Sequence, residues 1–584
     1  MPFDPQLSFG KALFFGEILE DQIFPYPTVP AETRETVGTM IDAIDKFMSG
    51  VDGAKLDRAG ELPPELLASL KEMGLFGLLV PTEFGGLGLD NTGYARIMQQ
   101  VASWDGSIAV TLGAHTSIGF KALLLFGTPE QRAKYLPRLA TGELVAAFCL
   151  TEPGSGSDSF GMKTRAEKSA DGSHYLLSGQ KLWITNGGFA DFFTVFAKTT
   201  PDTATEKGKV TAFLVTRDMG GVTSGPHEDK MGIRASSTTA VYFDNVKVPA
   251  GNVIGGEGKG FKVAMSVLNH GRTGLGAGVV GGQRTLLKLA LAHATERKQF
   301  GRPIADFGLV KDKLGRIATN IYVGESLCYL VSATIDRGGA DYSLEGAATK
   351  IFNSEALWYA ADEALQIAAG MGYMKEEPYE RILRDARINR IFEGTNEILR
   401  LYVGLTGAQK PGEYLKGLGK ELSHALSDPI KSLGLLRDYA ERKVRQTVPS
   451  ERLRTQITKA HPSLRMQVGW VENAVQELAA LTESTLRKHG KEIVEKQFAT
   501  RRMADIAIDL IAMLATISRT TALLEKRGED GAKREQQMCF AFCSDAYRRI
   551  KSNLRAAGRN NDEELKAVAD AMLASGKYPD DILD

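Results

Sequence analysis

Cysteine is scarce in this 584-residue chain: there are four, at positions 149, 328, 539 and 543. Thiols so few and so scattered cannot staple a disulfide framework, and they fit a reducing compartment. Net charge is absent as well. Seventy-one Lys and Arg balance seventy-one Asp and Glu, so no global field draws the chain toward nucleic acid. No uninterrupted run of eighteen apolar residues occurs, and no membrane-spanning helix is expected. The eight histidines and the cysteines are not clustered at metal-ligand spacing, so no metal is expected. The opening MPFDPQLSFG has neither a basic segment ahead of an apolar core nor Arg-rich transit character. A cytoplasmic, bacterial protein is the simplest reading, and a trimmed organellar chain would read much the same.

What is present is length enough for three or four domains, with clear changes of texture. Residues 1–33 read as an extended arm stiffened by FPYPTVP. Apolar spacing over 34–145 is mostly helical, and Ser107–Leu125 reads as a buried, charge-poor element. Over 146–256 the period switches to two, in HYLLSGQKLWITNG, DFFTVFAKT, KVTAFLVTR and TAVYFDNVKV. Helices return over 257–408, at Phe261–His270, Gly282–Glu296, Gly308–Asp336, Leu344–Ala369 and Glu380–Arg390, as in an antiparallel bundle. A hinge bearing glycine and proline is expected at 409–419, then a further helical domain over 420–584.

The most informative residue is Glu393, in Arg390-Ile391-Phe392-Glu393-Gly394-Thr395-Asn396-Glu397-Ile398. A carboxylate between aromatic and aliphatic neighbours is partly desolvated and gains the basicity needed to take a weakly acidic C–H proton. Pairing with Arg390 or Arg400 is the plain alternative. Cys149-Leu150-Thr151-Glu152-Pro153-Gly154-Ser155-Gly156-Ser157-Asp158 is a turn crowded with hydroxyls and glycines, suited to a ring edge or a phosphate. It is equally an ordinary structural turn. In Lys181-Leu182-Trp183-Ile184-Thr185, strand alternation puts Trp183 and Thr185 on one face, where they could address one flat ligand. Trp183 could as well pack in a sheet core. Arg297-Lys298-Gln299-Phe300-Gly301 ends a helix, as an anion site or as a cap. Gln366 to Tyr373 closes another helix with small residues, Gly370 among them, for close approach or as a simple cap. Arg272, in Asn269-His270-Gly271-Arg272, faces a channel or forms a buried pair.

Taken in order, these stretches resemble the acyl-CoA dehydrogenase family. The matching segments include FPYPTVP, LGAHTSIGFKALLLFGT, AAFCLTEPGSGSD, KLWITNGGFAD, KMGIRAS, LNHGR, ERKQFG, QIAAGMGYMKE and RIFEGTNEILR, and they cover about 1–408. KHGKEIVEKQF (488–498) marks the extra C-terminal domain of the family's long form, the very-long-chain and family-member-9 branch. The resemblance implies that family's fold: an N-terminal α-helical domain, a middle β-barrel-like domain, a C-terminal four-helix bundle and an additional C-terminal α-helical domain.

The resemblance further implies FAD as cofactor and α,β-dehydrogenation of a long-chain fatty acyl-CoA, C12 and above, to the trans-2-enoyl-CoA. Glu393 would be the base, while the β-hydrogen leaves as hydride to the flavin. Thr151 and Thr185 would bond the flavin edge, with Trp183 against its rings. Ser157 would contact the flavin phosphate or the CoA portion. Arg297, Gln299 and Phe300, with Gln366 and Gly370, would reach the ADP half of FAD across a homodimer interface. Thr395 and Asn396 would complete the flavin site. Arg272 would lie near the substrate entrance and Gly394 beside the substrate, whose enolate oxygen would receive a ribityl hydroxyl and the Glu393 main-chain N–H. Ser107, Ala109, Gly113 and Ala114 leave room for a deep acyl cavity or for tight helix packing. His115 is expected to be structural.

Residues 442–465 carry seven Lys and Arg against Glu451, interleaved with Leu453, Ile457 and Leu464. Such an element can lie on an anionic membrane, here the inner face of a bacterial cell membrane, or remain a solvated charge run. Electron transfer flavoprotein is the expected acceptor. Two rivals share the scaffold: an assembly factor for a respiratory complex, and an acyl-CoA oxidase.

Overall fold

The computed structural model describes residues 7–203, 207–338, 340–424 and 456–579. Local chemistry sets the first helices. Asp90 caps Asn91–Trp104 by accepting from Gly93 N at 2.6 Å. Asp105 caps Gly106–Gly113 through Ser107 N and Ile108 N at 2.8 and 3.1 Å. Thr128 and Gln131 form a reciprocal capping box at the start of Pro129–Ala140. Between Gly113 and Lys121 the helix widens into a π turn, Ala114–Gly119, closed by Phe120 N to His115 O at 3.1 Å. His115 is buried there; its Nδ1 accepts from Ala146 N at 2.9 Å and its Nε2–H donates to Leu139 O at 3.1 Å. Burial pushes the ring down to about 3, so it stays a neutral structural link between the helices and the first strand.

Eight strands follow: β1 Ala146–Cys149, β2 Arg165–Lys168, β3 His174–Thr185, β4 Phe192–Lys198, β5 Val210–Thr216, β6 Val222–Ser224, β7 Thr238–Pro249 and β8 Val253–Ile254. Their order is β6-β7-β3-β2-β4-β5-β8, with β1 paired in parallel to β4 beside that path. The β-barrel-like middle domain expected from the sequence does not form. The sheet is open and mixed, because among the described residues its two ends, three-residue β6 and two-residue β8, each pair on one side only. Alternation in a sequence specifies which face of a strand is buried; it does not specify the stagger that closure needs.

The bundle is built from Gly260–Glu296, Gly308–Arg337, Ser343–Ala368 and Asn396–His424, with the short Tyr379–Arg387 leading toward Glu393. The sequence suggested two helices on either side of residues 271–281, yet one 37-residue helix runs through. Its glycines allow neighbours to close in rather than ending it: a Cβ at Gly281 would meet Gln99 O at 1.9 Å, and one at Gly276 would meet Thr349 Cγ2 at 2.9 Å. The segment 409–419, expected as a hinge, lies inside Asn396–His424 with Pro411 in the helix. An interior proline gives up one backbone bond and need not stop a helix whose sides are packed.

The last described region, with helices Arg465–His489, Gln497–Gly531 and Lys533–Gly558, shares one hydrophobic core with the bundle and with the N-terminal arm. Phe9, Leu13, Phe14 and Ile23 of the arm are buried in it. Polar stitches reinforce the join: Gln476 Nε2 donates to Gly16 O at 2.6 Å, Thr458 and Lys459 N–H groups to Glu20 Oε1 at 2.5 Å, and Ser518 Oγ to Ile23 O at 2.6 Å. Two stretches, Gly106–Phe126 and Gln497–Gly531, are long and apolar enough to cross a membrane, but 72% and 83% of those windows are buried inside the protein, as in core helices. Of the basic segment 442–465, residues 442–455 lie outside the described residues; Ile457 and Leu464 are buried in the core.

Candidate active site

Glu393 sits on a forced backbone. Its φ of 55° is left-handed, which is costly for a side chain with a Cβ, and Gly394 follows at 95°. Neighbours hold the kink. Lys350 Nζ donates to Gly394 O at 2.9 Å and to Asn396 Oδ1 at 2.8 Å, and Arg272 Nε donates to Glu393 O at 3.2 Å. Thr395 Oγ1 accepts from Ile398 N at 3.3 Å, at the start of the helix that follows. The carboxylate itself is left unanchored. Its Oε2 is enclosed and lacks a hydrogen-bond partner, and a Cβ on Gly271 would lie 2.6 Å from it. Desolvation pushes the Glu393 carboxyl up to about 7, against the pull of Arg272 and Lys350. Burial also brings Lys350 down to about 8.

Glu393 lines a cavity of about 430 Å³ between the helices and the sheet. Thr151, Ser157, Trp183 and Thr185 line it from the sheet side; Arg272, Glu393 and Gly394 line it from the bundle. Trp183 is not in the sheet core. Its indole is 62% exposed, on a residue with φ of 55°, where the pairing of β3 with β7 slips by one residue between Lys181 and Ile184. That bulge breaks the alternation expected for β3 and still brings Trp183 and Thr185 to one cavity. Leu182 N donates to Thr151 O at 2.9 Å, which joins the hydroxyl-rich turn to the bulge. Below it, buried Lys181 Nζ reaches Glu152 Oε1 at 2.8 Å and Leu150 O at 3.1 Å. Glu152 also accepts from Lys163 N at 2.5 Å and Thr164 N at 3.1 Å.

Other expected site residues lie elsewhere. Arg297, Gln299 and Phe300 stand on an exposed hairpin, Phe300 at 93% exposure, and Gln366 and Gly370 are exposed too. Asn396 is fully buried, its amide committed to Lys350, Ser354 and Glu355 rather than to the cavity. Ser107 is buried away from the lining, whereas Ala109, Gly113 and Ala114 face it. Sequence reasoning passed over Lys350 and the Lys181–Glu152 pair. Lys181 was visible as a cation at a core position of a strand; Lys350 carried no signal beyond a charge inside an apolar helix.

The chain matches four family models: acyl-CoA dehydrogenase N-terminal domain over 35–143, middle domain over 147–246, C-terminal domain over 258–405, and the ACAD9/ACADV C-terminal domain over 462–578. The very long-chain specific acyl-CoA dehydrogenase, mitochondrial, of Homo sapiens is 47% identical over 579 residues, 97% of this chain and 88% of that protein. The Bos taurus protein of the same name is 45% identical over the same shares. Among solved structures, an acyl-CoA dehydrogenase complexed with FAD from Bacillus anthracis aligns at TM-score 0.77 and 34% identity, covering 94% of this chain and 92% of that one. A chain of the electron transferring flavoprotein structure from Acidaminococcus fermentans aligns at 0.61 and 34% identity, over 65% of this chain and 98% of that one. These relatives correct the cytoplasmic location read from the sequence, since the Homo sapiens and Bos taurus proteins are mitochondrial by name. Thiol content could not separate the two, because a reducing matrix and a reducing cytoplasm leave the same mark on composition. With four successive domain models matched and 47% identity to a relative over 97% of its length, this chain belongs to the acyl-CoA dehydrogenase family.

Proposed function

We propose that this chain dehydrogenates long-chain fatty acyl-CoA thioesters between Cα and Cβ, with Glu393 removing the α-proton. The carrying observation is the Glu393 carboxylate: enclosed, with one oxygen unpartnered, on a cavity that also holds an exposed indole. A base near neutrality accepts a proton most usefully when its anion is neither quenched by an ion pair nor bathed in water. Arg272 and Lys350 meet that need by bonding backbone oxygens around Glu393 instead of its carboxylate. The Glu393 main-chain N–H is the chain's own donor for the enolate oxygen.

FAD is the cofactor. The residues present fit a flavin: a broad exposed indole, the Thr151 and Thr185 hydroxyls and the Ser157 turn surround the cavity's sheet side. When bound, FAD supplies the acceptor for the β-hydrogen and its electron pair. Trp183 and Thr185, which line the same cavity as Glu393, would hold the flat ligand and orient it for the reaction. Electron transfer flavoprotein is the onward acceptor.

Chain length follows from the helix wall. Gly274, Gly278 and Gly282 line the cavity from one face of Gly260–Glu296, opposite Ala109 and Gly113. From Gly271, beside Glu393, to Gly282 the helix advances roughly 16 Å, which suits a long acyl tail. A homodimer is part of this reading: Arg297, Gln299, Phe300, Gln366 and Gly370 are exposed, and in a dimer they would reach the ADP half of the second copy's cofactor. Peripheral contact of 442–465 with an anionic membrane rests on its basic residues, because Ile457 and Leu464 are used in the core. The decisive experiment is anaerobic flavin bleaching with acyl-CoAs of graded length, for the natural protein and Glu393→Gln. Bleaching that favours long chains and disappears in the variant supports the reading; bleaching retained in the variant refutes Glu393 as base.

A further inference from the structure

The loop that carries Glu393 is tied, bond by bond, to the helical region beyond the bundle. Lys350 Nζ holds Gly394 O at 2.9 Å and Asn396 Oδ1 at 2.8 Å. Asn396 keeps that oxygen turned toward Lys350 because its Nδ2 donates to Ser354 Oγ at 3.0 Å and Glu355 Oε1 at 3.1 Å. Glu355 in turn is clamped by Arg400, whose Nη1 and Nη2 reach its two oxygens at 2.7 and 2.9 Å. Arg400 Nε then donates at 2.6 Å to Asp505 Oδ1, on the helix Gln497–Gly531.

Packing runs along the same line. A Cβ on Gly404 would lie 2.6 Å from Thr500 O, so the helix that follows Glu393 is pressed against Gln497–Gly531. Leu399 both lines the catalytic cavity and belongs to the core that contains Met503 and Ala504. Arg400 and Asp505 are largely buried, with side chains 18% and 26% exposed. The pair is therefore neither long, flexible nor free in solvent, the conditions under which an ion pair does little.

We propose that Asp505 is a positioning residue for Glu393, acting through Arg400, Glu355, Asn396 and Lys350. The proposal deepens, and rests on, the reading of Glu393 as the base. Asp505 fixes the fork of Arg400; Arg400 fixes Glu355; Glu355 orients the Asn396 amide; and the amide keeps the Lys350 ammonium beneath the kink. The Lys350 charge then favours the ionised form of Glu393. The helical region beyond the bundle is thus part of the catalytic apparatus, although none of its described side chains lines the substrate cavity.

Two effects of losing Asp505 have opposite sign, which makes the test sharp. If Asp505 acted only through its own negative charge, removing it would lower the apparent pKa of Glu393. If it acts by positioning, Lys350 loosens, and that pKa rises. The experiment follows the pH dependence of anaerobic flavin bleaching for the full-length holoenzyme and its Asp505→Ala and Asp505→Asn variants. For Asp505→Ala the midpoint rises by about one pH unit, and the plateau rate falls about tenfold with acyl-CoA affinity within about twofold. Asp505→Asn, which keeps an acceptor for Arg400, recovers most of the rate. An unmoved or lowered midpoint in flavin-loaded Asp505→Ala overturns the proposal. Should Asp505→Ala not accumulate with flavin, Glu355→Ala removes the acceptor between Arg400 and Asn396, so it breaks the same chain inside the bundle and must raise the midpoint; an unmoved midpoint there overturns the proposal equally. Glu393→Gln run in parallel separates the two levels: bleaching retained in that variant refutes the base itself, whatever Asp505 does.

Discussion

Replacing Glu393 by Gln should stabilise the substrate-free protein, and more so as pH rises. The carboxyl ordinarily titrates near 4.5, and burial beside Gly271 and the cavity wall pushes it to about 7. Below the lower value the acid is protonated in both folded and unfolded chains and contributes nothing. Between the two values the folded protein holds a proton that the unfolded chain has released, so stability falls as pH climbs through that window. Above pH 7 the cost is complete. A displacement of about 2.5 pH units at 1.36 kcal/mol each is about 3 kcal/mol, discounted somewhat because Glu393 is only part-buried. Glu393→Gln removes the charge and keeps the shape. Urea midpoints of the natural protein and the variant, at pH 5 and pH 8, are the assay. The variant's advantage should be small at pH 5 and about 2–3 kcal/mol at pH 8. An advantage that does not grow with pH would show that the Glu393 anion is well solvated or paired, and the argument for its basicity would fail. The same ionisation should appear in catalysis, as a bleaching rate that rises through about pH 7 and then levels.

Gly271→Ala places a methyl 2.6 Å from Glu393 Oε2 and 2.7 Å from Ile118 Cγ2, so bleaching should slow by about 100-fold while flavin content holds, as read by single-turnover absorbance. Lys181→Met leaves buried Glu152 without its cation; the cost should be about 3–5 kcal/mol, seen as a lowered unfolding midpoint and loss of flavin from the loosened Thr151 turn. Gly113→Leu projects bulk into the cavity, where nothing stands nearer than 3.8 Å to a Cβ, and should shift the preferred acyl chain toward shorter lengths in the graded bleaching series.

That Glu393, Thr151, Trp183 and Thr185 belong with one cavity was legible in the sequence because each stands in a short motif whose residue types are chemically unusual for their place. A glutamate between an aromatic and a glycine, or a tryptophan two positions before a threonine on a strand, is visible without a fold. The bulge at Trp183 was not visible, since a one-residue slip leaves the composition of a strand unchanged. Lys350 was not visible either. Its meaning comes from Gly394 and Asn396, both more than forty positions away. The partners of Asn396, which are Lys350, Ser354 and Glu355, were not visible, because proximity to Glu393 in sequence does not say which side of a kink a side chain takes. The glycines from 271 to 282 read as breaks in a helix when taken alone; against Gln99 and Thr349 they are what lets the bundle close. Closure of the middle sheet failed for a similar reason: strand pairing at β6 and β8 is a property of partners, not of runs.

The sewing of the N-terminal arm to residues 456–476 and 518 has a further result. Chain ends that are hundreds of positions apart share one interior, so a backbone cut anywhere from 425 to 455 should not release two pieces. Both fragments would co-migrate on gel filtration and part only in denaturant, with the flavin staying with the pair.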